Sequence, residues 1–194
     1  MEKEPNENKV KIYKAARKLF SQYDFEDVTI RMICEKANVS IGTFYHYYPS
    51  KYSFMSIFND HLDEFARTIK KKIDQGSYSA TDKLVKFFVF QSDEISEGNN
   101  VKDTITLLQI QIKHPEADIY SHDRASYTYV MDMLRECQET GSLPESLSLE
   151  MLADFLFASF RGLVIDWWAN DKSYSLSERM EIYTSAILRA FQTP

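Results

Sequence analysis

The residues from Ser40 to Lys51, SIGTFYHYYPSK, combine flat apolar rings with groups that form hydrogen bonds. The tips of Tyr45, His46 and Tyr47 can donate or accept a hydrogen bond, and Thr43 adds a hydroxyl group beside a methyl group. A core favours aliphatic side chains, because a tyrosine hydroxyl needs a partner when it is buried. The segment therefore has the chemistry of a surface that contacts a polar partner.

Two short helices must position these side chains. Thr29 predicts an N-cap for a helix over Ile30–Ala37, and Ser40 predicts one for a second helix over Ile41–Tyr48, because their hydroxyl oxygens can accept a free backbone N–H. Asn38 tolerates the left-handed conformation that closes the first helix. Pro49 ends the second helix, since it lacks an N–H and disfavours helical geometry before it.

The rest of the chain has helical periodicity and few helix breakers. It contains only 5 Gly and 5 Pro in 194 residues, and no alternating strand pattern. We therefore predict an all-α fold in which an N-terminal three-helix domain, residues 1–54, is followed by a larger helical domain, residues 55–194. The expected helices cover 9–23, 30–37, 41–48, 51–72, 81–96, 101–113, 115–139, 148–170 and 177–191.

Charge is distributed unevenly along the chain. The net charge is −6 overall, but residues 1–72 hold 13 Lys+Arg against 10 Asp+Glu, and residues 73–194 hold 10 against 19. Such asymmetry suggests an acidic partner for the N-terminal part alone. The two cysteines lie far apart without a zinc-binding pattern, and the polar first ten residues do not resemble a secretory signal. These features predict a cytoplasmic protein with free thiols, no metal or cofactor, and no membrane partner.

Helices of this length and spacing fit a helix-turn-helix, in which the second helix of the pair lies in the DNA major groove. The segment Thr29–Lys51 and its flanking helices, about 45 residues from Lys9 to Phe54, resemble the DNA-binding signature of the TetR family of transcriptional regulators. Asn38 stands where a glycine is common in this family, and Cys34 where a small residue is expected. The resemblance implies a homodimer that binds a pseudo-palindromic double-stranded DNA operator, usually as a repressor, and is released by a small ligand.

The resemblance also assigns roles to individual residues. Thr29, Ser40, Tyr45 and Lys51 fall where such proteins hold phosphates. The positions that read bases are Arg31, Ile41, Gly42, Thr43 and Tyr47. Phe44 and Tyr48, four residues apart, are expected to face the core. His46 could face the DNA or lie beside it.

The larger domain is expected to bind the effector and to dimerise. Its richness in aromatic residues suggests a mainly apolar or aromatic effector. The resemblance further implies that the last two helices pair with those of a second copy. Candidate pocket residues are Phe87, Phe90, Tyr127, Met131, Phe157, Arg161 and Trp167, and candidate dimer residues are Phe155, Phe160, Leu163, Ile187 and Phe191. Trp167 and Trp168 could face either the pocket or the seam.

Two polar features of this domain have competing interpretations. Arg161 lies in an apolar helix, where an unpaired charge is costly. A pair with Asp154 or Glu150 is favoured over contact with a ligand. His114, Asp118 and His122 share a helix face at a spacing of four residues, but a proline and the lack of a closed ligand set argue against a metal site.

Two other classes of function are less well supported. An enzyme would need a recognisable catalytic pattern, and the sequence contains no HExxH, GxSxG, GxGxxG or Walker motif. A helical protein that uses its apolar last helices to bind another chain remains an alternative. The favoured interpretation is a ligand-responsive DNA-binding regulator.

Overall fold

The computed structural model describes residues 7–97, 101–114 and 120–192, without side-chain positions for residues 56–58, 61 and 101–103. Within these residues it contains helices and no strands, as the sequence predicts. The α-helices are α1 (Glu7–Phe20), α2 (Ile30–Ala37), α3 (Ile41–Tyr47), α4 (Met55–Asp74), α5 (Ala80–Glu97), α6 (Val101–Lys113), α7 (Ala125–Glu139), α8 (Leu149–Ala169) and α9 (Leu176–Phe191), and a single 3-10 turn covers Lys51–Phe54.

Two compact units divide the described residues. Unit 1 comprises the residues up to 61 together with 110–114, and unit 2 comprises those of 62–109 and 120–192. The division falls inside α4 and inside α6. No helix in the described parts of the chain is long and apolar enough to cross a membrane.

Unit 1 has its own core, which the apolar faces of α1, α2 and α3 supply. Ile12, Ile33, Phe44 and Phe54 are each 0% exposed. The ring of Tyr48 packs against that of Phe54 with centroids 4.5 Å apart. This core fixes the orientation of α3, because Phe44 and Tyr48 point into it and leave the other residues of the short helix exposed or half-buried.

Unit 2 is a helical bundle in which α5 contacts both α7 and α9, and α8 contacts α7 and α9. Phe87, Phe88, Leu134 and Val164 lie at its centre, each at most 1% exposed. Ser175 begins α9 by accepting a hydrogen bond from the N–H of Glu178, as predicted from the sequence.

The first helix ends at Phe20 instead of residue 23, and two helix starts predicted from the sequence are also wrong. The predicted helix over 115–139 begins only at Ala125, because Tyr120–Arg124 form turns and the N–H of Ala125 donates to the Asp63 carboxylate of α4. The predicted start at Pro115 lies outside the described residues. The helix predicted from Lys51 begins at Met55, after the 3-10 turn.

Candidate nucleic-acid interface

The start of α3 is ordered by a small hydrogen-bond network. The hydroxyl oxygen of Ser40 accepts the N–H of Thr43 at 3.0 Å and lies 2.8 Å from the Thr43 hydroxyl oxygen. Asn38 adopts φ 54° and ψ 51°, the left-handed conformation expected for it at the end of α2. A single left-handed residue therefore turns the chain between the two helices.

The surface of α3 separates into an inner and an outer face. Phe44 is fully buried and Tyr48 is 8% exposed, which confirms that both face the core. Ile41 and Tyr45 are 51% and 53% exposed, and Gly42 and His46 are also exposed. Thr43 and Tyr47 are half-buried between the two faces. The four exposed residues thus form one accessible surface of a helix that the core holds in place.

Gly42 keeps this surface free of a side chain near the helix start. A Cβ atom added there would lie 3.7 Å from the Ser40 hydroxyl oxygen, an ordinary van der Waals distance. Unit 1 itself therefore does not require a glycine at this position. The absence of a side chain would matter for close approach by an external partner.

The first helix of the pair contributes an exposed cation near its start. Arg31 is paired with Glu35 on the next turn, with 2.9 Å between Nε and the carboxylate oxygen, and the Arg31 side chain is 81% exposed. Thr29 caps α2 by accepting the N–H of Met32 at 3.2 Å. An exposed pair of this kind adds little stability, so Arg31 can exchange its carboxylate for another acceptor at small cost.

Lys51, predicted to hold a phosphate, is engaged within unit 1. Its ammonium group donates to the carbonyl oxygen of Phe25 at 2.7 Å, and its side chain is only 14% exposed. Removal from solvent lowers the pKa of Lys51, and the nearby carboxylates of Glu26 and Asp27 oppose that shift. A phosphate at this position would compete with these contacts.

A long-range contact that the sequence did not reveal fixes α3 to α1. The Tyr48 hydroxyl donates to the carbonyl oxygen of Lys9 at 3.1 Å, across 39 residues of chain. Burial raises the pKa of Tyr48. The only sequence signal was the inward spacing of Tyr48 from Phe44.

The candidate effector residues lie in unit 2 at different depths. Phe87, Tyr127, Met131 and Trp167 are buried, whereas Phe90, Phe157 and Arg161 are half-buried. The indole N–H of Trp167 donates to the Tyr174 carbonyl at 2.8 Å, so this ring is held by its own chain. The aromatic residues do not all surround one space.

Two of these residues, Tyr127 and Phe157, form a continuous row of rings with Phe88 that runs from α7 through α8 to α5. Tyr127 stacks on Phe157 at 5.8 Å between centroids, and Phe157 meets Phe88 edge-on at 5.4 Å. His122 also stacks on Tyr127, with centroids 4.1 Å apart. We call Phe88, Tyr127 and Phe157 the aromatic row.

The carboxylate partner expected for Arg161 is absent from the described residues. Its guanidinium instead lies 5.0 Å from the centre of the Tyr120 ring. Asp154 accepts from the Tyr127 hydroxyl at 3.2 Å and lies 3.1 Å from Nε2 of His122. The favoured pairing of Arg161 with Asp154 or Glu150 is therefore wrong.

A surface groove in unit 2 lies apart from the aromatic row. It has a volume of about 270 Å³ and runs between α4 and α7, where Asp63, Arg67, Lys70 and Asp132 contribute charged walls. None of the seven candidate effector residues lines it. An open groove with charged side chains in its walls is a poor match for an apolar effector, so the aromatic row is the better candidate for contact.

The candidate dimer residues divide between the core and the surface of unit 2. Phe160 and Leu163 are 8% and 5% exposed and pack in the core of their own chain, whereas Phe155 is 48% exposed. Ile187 and Phe191 are half-buried against that core.

The three residues of the possible metal site have separate environments. His114 stacks on Tyr52 with centroids 3.8 Å apart, and His122 contacts Tyr127 and Asp154. Asp118 lies outside the described residues. No cluster of three metal-binding side chains occurs among the residues that were described.

Comparison with known proteins matches both ends of the chain to regulators. Residues 12–56 match the family described as bacterial regulatory proteins of the tetR family, and residues 118–193 match the C-terminal region of MAATS-type transcriptional repressors. The fatty acid metabolism regulator protein of Bacillus subtilis is 21% identical over 170 residues, which cover 86% of this chain and 87% of that protein.

Two further comparisons agree with that assignment. The uncharacterised regulator YxbF of Bacillus subtilis is 24% identical over 165 residues, which cover 74% of this chain but only 43% of that protein. The structure of Thermus thermophilus FadR, a TetR-family repressor in complex with lauroyl-CoA, has the same fold with a TM-score of 0.75, 21% identity and 96% coverage of both chains. The helix-turn-helix geometry and these matches together show that the chain belongs to the TetR family of DNA-binding transcriptional regulators.

Proposed function

We propose that this regulator is a homodimeric repressor that leaves its operator when a small effector binds to unit 2. The observation that carries the proposal is the accessible surface of α3, in which Ile41, Gly42, Tyr45 and His46 face outward while Phe44 and Tyr48 hold the helix to the core. In this proposal residues 1–54 bind DNA, and residues 55–194 bind the effector and dimerise.

The chemistry of α3 supports contact with bases and phosphates. An exposed tyrosine offers a hydroxyl group on a flat apolar body, and a glycine beside it lets the helix start approach base edges closely. Arg31 on α2 supplies a cation whose planar donor groups match guanine. Two copies of this surface, roughly 34 to 36 Å apart, would read the two halves of a pseudo-palindrome.

The outer surface of α8 supports a homodimer. Met151, Phe155, Ala158, Gly162 and Ile165 are all exposed and follow one another at spacings of four, three, four and three residues. Apolar and small residues every 3.5 positions form the seam along which two helices pack. We name these five residues the α8 stripe.

The neighbouring surface of α9 adds to that seam. Ile182 and Tyr183 are 61% and 46% exposed, and Ala186 and Ala190 are exposed beside them. An exposed apolar surface of this length is unusual for a protein that remains alone in water. We therefore propose that α8 and α9 of two copies form one four-helix interface.

The proposed effector has a long apolar body. The aromatic row and the buried residues around it would offer such a body a chemically matched environment. The Thermus thermophilus relative is described in complex with lauroyl-CoA, and a Bacillus subtilis relative is described as a fatty acid metabolism regulator. We propose a fatty acyl compound as the effector class.

A gel-shift experiment with selected operator fragments tests the proposal. The pure protein should retard a selected duplex at low salt, and retardation should weaken with rising salt as condensed ions compete for phosphates. Lauroyl-CoA should release the duplex, whereas coenzyme A alone should leave it bound. Absence of specific binding would contradict the DNA-reading surface, and binding that lauroyl-CoA leaves unchanged would contradict the effector class.

A further inference from the structure

Gln91 on α5 carries a polar group that none of the described residues satisfies. Its side-chain amide nitrogen is shielded from solvent and has no hydrogen-bond partner among the described residues. Most buried polar groups in proteins are hydrogen-bonded, so an exception of this kind calls for an explanation. Gln138 on α7 shows the usual situation, because its amide nitrogen donates to the carbonyl oxygens of Pro144 and Leu147.

The contacts of α5 place Gln91 beside the aromatic row. On a helix, residue 91 projects between the directions of Phe87 and Phe88, because successive residues are about 100° apart. Phe87 meets Tyr129 of α7, and Phe88 meets Phe157 and Phe160 of α8. The Gln91 side chain therefore projects between α7 and α8.

The register of the helices places Arg161 at the same level of the bundle. Thr81 and Phe87 of α5 contact Cys137 and Tyr129 of α7, which shows that these helices run in opposite directions. Gln138 of α7 donates to Leu147 just before α8, and Tyr127 of α7 contacts Phe157 of α8, so α7 and α8 also run in opposite directions and α8 is parallel to α5. Gln91 lies one turn beyond Phe88, as Arg161 lies one turn beyond Phe157.

Arg161 is the second donor at this level without an anionic partner. The central carbon of its guanidinium lies over the Tyr120 ring, 5.0 Å from the ring centre, and no carboxylate of the described residues forms an ion pair with it. A cation against a ring keeps the N–H groups at its edge free for acceptors. An unsatisfied amide donor and a cation without a carboxylate partner among the described residues therefore border the same apolar region.

We propose that the Gln91 amide and the Arg161 guanidinium form a polar anchor for the carbonyl end of the effector. The amide nitrogen would donate to an acyl carbonyl oxygen, the guanidinium would bind the neighbouring polar or anionic group, and the apolar chain would lie along the aromatic row. This inference rests on the proposed function, and it adds that the site recognises the acyl carbonyl as well as the chain. The carbonyl could belong to a thioester or to a free carboxylate.

Paired ligands that differ only in the carbonyl group test the anchor. Lauroyl-CoA and S-dodecyl-CoA, in which a methylene replaces the carbonyl, are titrated into the full-length protein by calorimetry, with dodecanoate as a third ligand. The wild-type protein should prefer lauroyl-CoA to S-dodecyl-CoA by about tenfold, and Gln91→Leu should reduce that preference to about onefold. Tighter binding of dodecanoate than of lauroyl-CoA would identify the carboxylate as the source of the carbonyl.

Two further variants separate the anchor from general damage to unit 2. Gln138→Leu removes a satisfied glutamine, so it should lower the melting temperature and leave the tenfold preference unchanged. Gln91→Leu should keep or raise the melting temperature of the free protein, because it replaces an unsatisfied donor with an apolar group. Arg161→Met should weaken binding of lauroyl-CoA and dodecanoate together.

The outcomes that overturn the anchor differ from those that overturn the proposed function. An unchanged preference for the thioester in Gln91→Leu would refute the role of Gln91 while the effector class stands. If neither CoA compound nor dodecanoate binds, the anchor and the effector class both fall, although operator binding can persist. If the wild-type protein binds no operator, the DNA-reading surface alone is contradicted.

Discussion

The ammonium group of Lys51 lies 2.7 Å from the carbonyl oxygen of Phe25 and 4.5 Å from the centre of the Phe25 ring. This contact joins the 3-10 turn after α3 to the loop after α1. The Phe25 carbonyl oxygen accepts a hydrogen bond from a charged donor, and the Lys51 ammonium group also lies over the Phe25 ring. These two contacts compensate the ammonium group for its removal from solvent.

Lys51→Met should therefore lower the free energy of unfolding by about 1.5 to 3 kcal/mol, the usual range for a hydrogen bond to a charged group. Denaturant unfolding measures the change. Lys51→Arg retains a cation and serves as the control, with a smaller loss. A Lys51→Met protein of unchanged stability that binds DNA poorly would instead support the phosphate role predicted from the sequence.

Tyr45 and Tyr48 form a matched pair on opposite faces of α3. Tyr45→Phe should weaken operator binding by about 1 kcal/mol, roughly fivefold, through loss of one hydroxyl contact, and should leave stability almost unchanged because the ring is exposed. Tyr48→Phe removes the hydrogen bond to the Lys9 carbonyl and should lower the free energy of unfolding by about 0.5 to 1.5 kcal/mol. If Tyr45→Phe lowered stability and Tyr48→Phe weakened operator binding, Tyr45 would face the core and Tyr48 the DNA.

Arg31 should contribute to sequence choice. Arg31→Ala should relax discrimination at one base pair of each half-site by about 1 to 3 kcal/mol, measured on operators that carry every single substitution. Lys36→Ala, at an exposed cation on the same helix, is the control and should weaken all operators alike. If Arg31→Ala weakened binding to all operator variants equally, Arg31 would be assigned to a phosphate contact.

Tyr174 should make the protein sensitive to alkaline pH. Removal from solvent, followed by the hydrogen bond to the Asp166 carboxylate, raises the pKa of Tyr174 to about 12. The folded state therefore favours the neutral hydroxyl, and its contribution to stability is complete below pH 10 and is lost as pH rises through about 12. The difference in unfolding free energy between wild type and Tyr174→Phe should shrink over that interval; a difference independent of pH would contradict the assignment.

Local features of the sequence predicted the geometry of the helix-turn-helix. The caps at Thr29 and Ser40, the left-handed Asn38 and the inward pair Phe44 and Tyr48 each depend on neighbours within a few residues. Short-range geometry determines such features, so one chain segment contains the information needed to predict them.

Features that depend on distant partners could not be predicted in the same way. The acceptor of Lys51 lies 26 residues earlier in the chain, and α7 begins where Asp63 receives the N–H of Ala125, 62 residues away. Arg161 contacts the ring of Tyr120, which lies in a turn, whereas the helical pattern predicted a helix there. Packing decides these contacts, and no local spacing indicates them.

Gly162 in the middle of the α8 stripe offers a test of the dimer interface. A Cβ atom added there would meet no described atom of its own chain within 4 Å, so a larger side chain should leave the fold of one copy unchanged. Against a second helix the same side chain would hold the backbones apart, because a glycine at such a seam permits close approach. Gly162→Leu should therefore convert a dimer to a monomer in analytical ultracentrifugation, and operator affinity should fall with it.

The control for that variant is Lys71→Leu, which adds a leucine at an exposed position of α4 outside the stripe. It should leave both the mass in solution and operator binding of the dimer unchanged. The helical circular dichroism of Gly162→Leu should equal that of the wild type, since the stripe lies on the surface of each copy. A close-packed seam has no room for a leucine side chain at position 162 of each copy unless the two helices separate. A Gly162→Leu protein that remains a dimer would therefore place the interface on another face of unit 2.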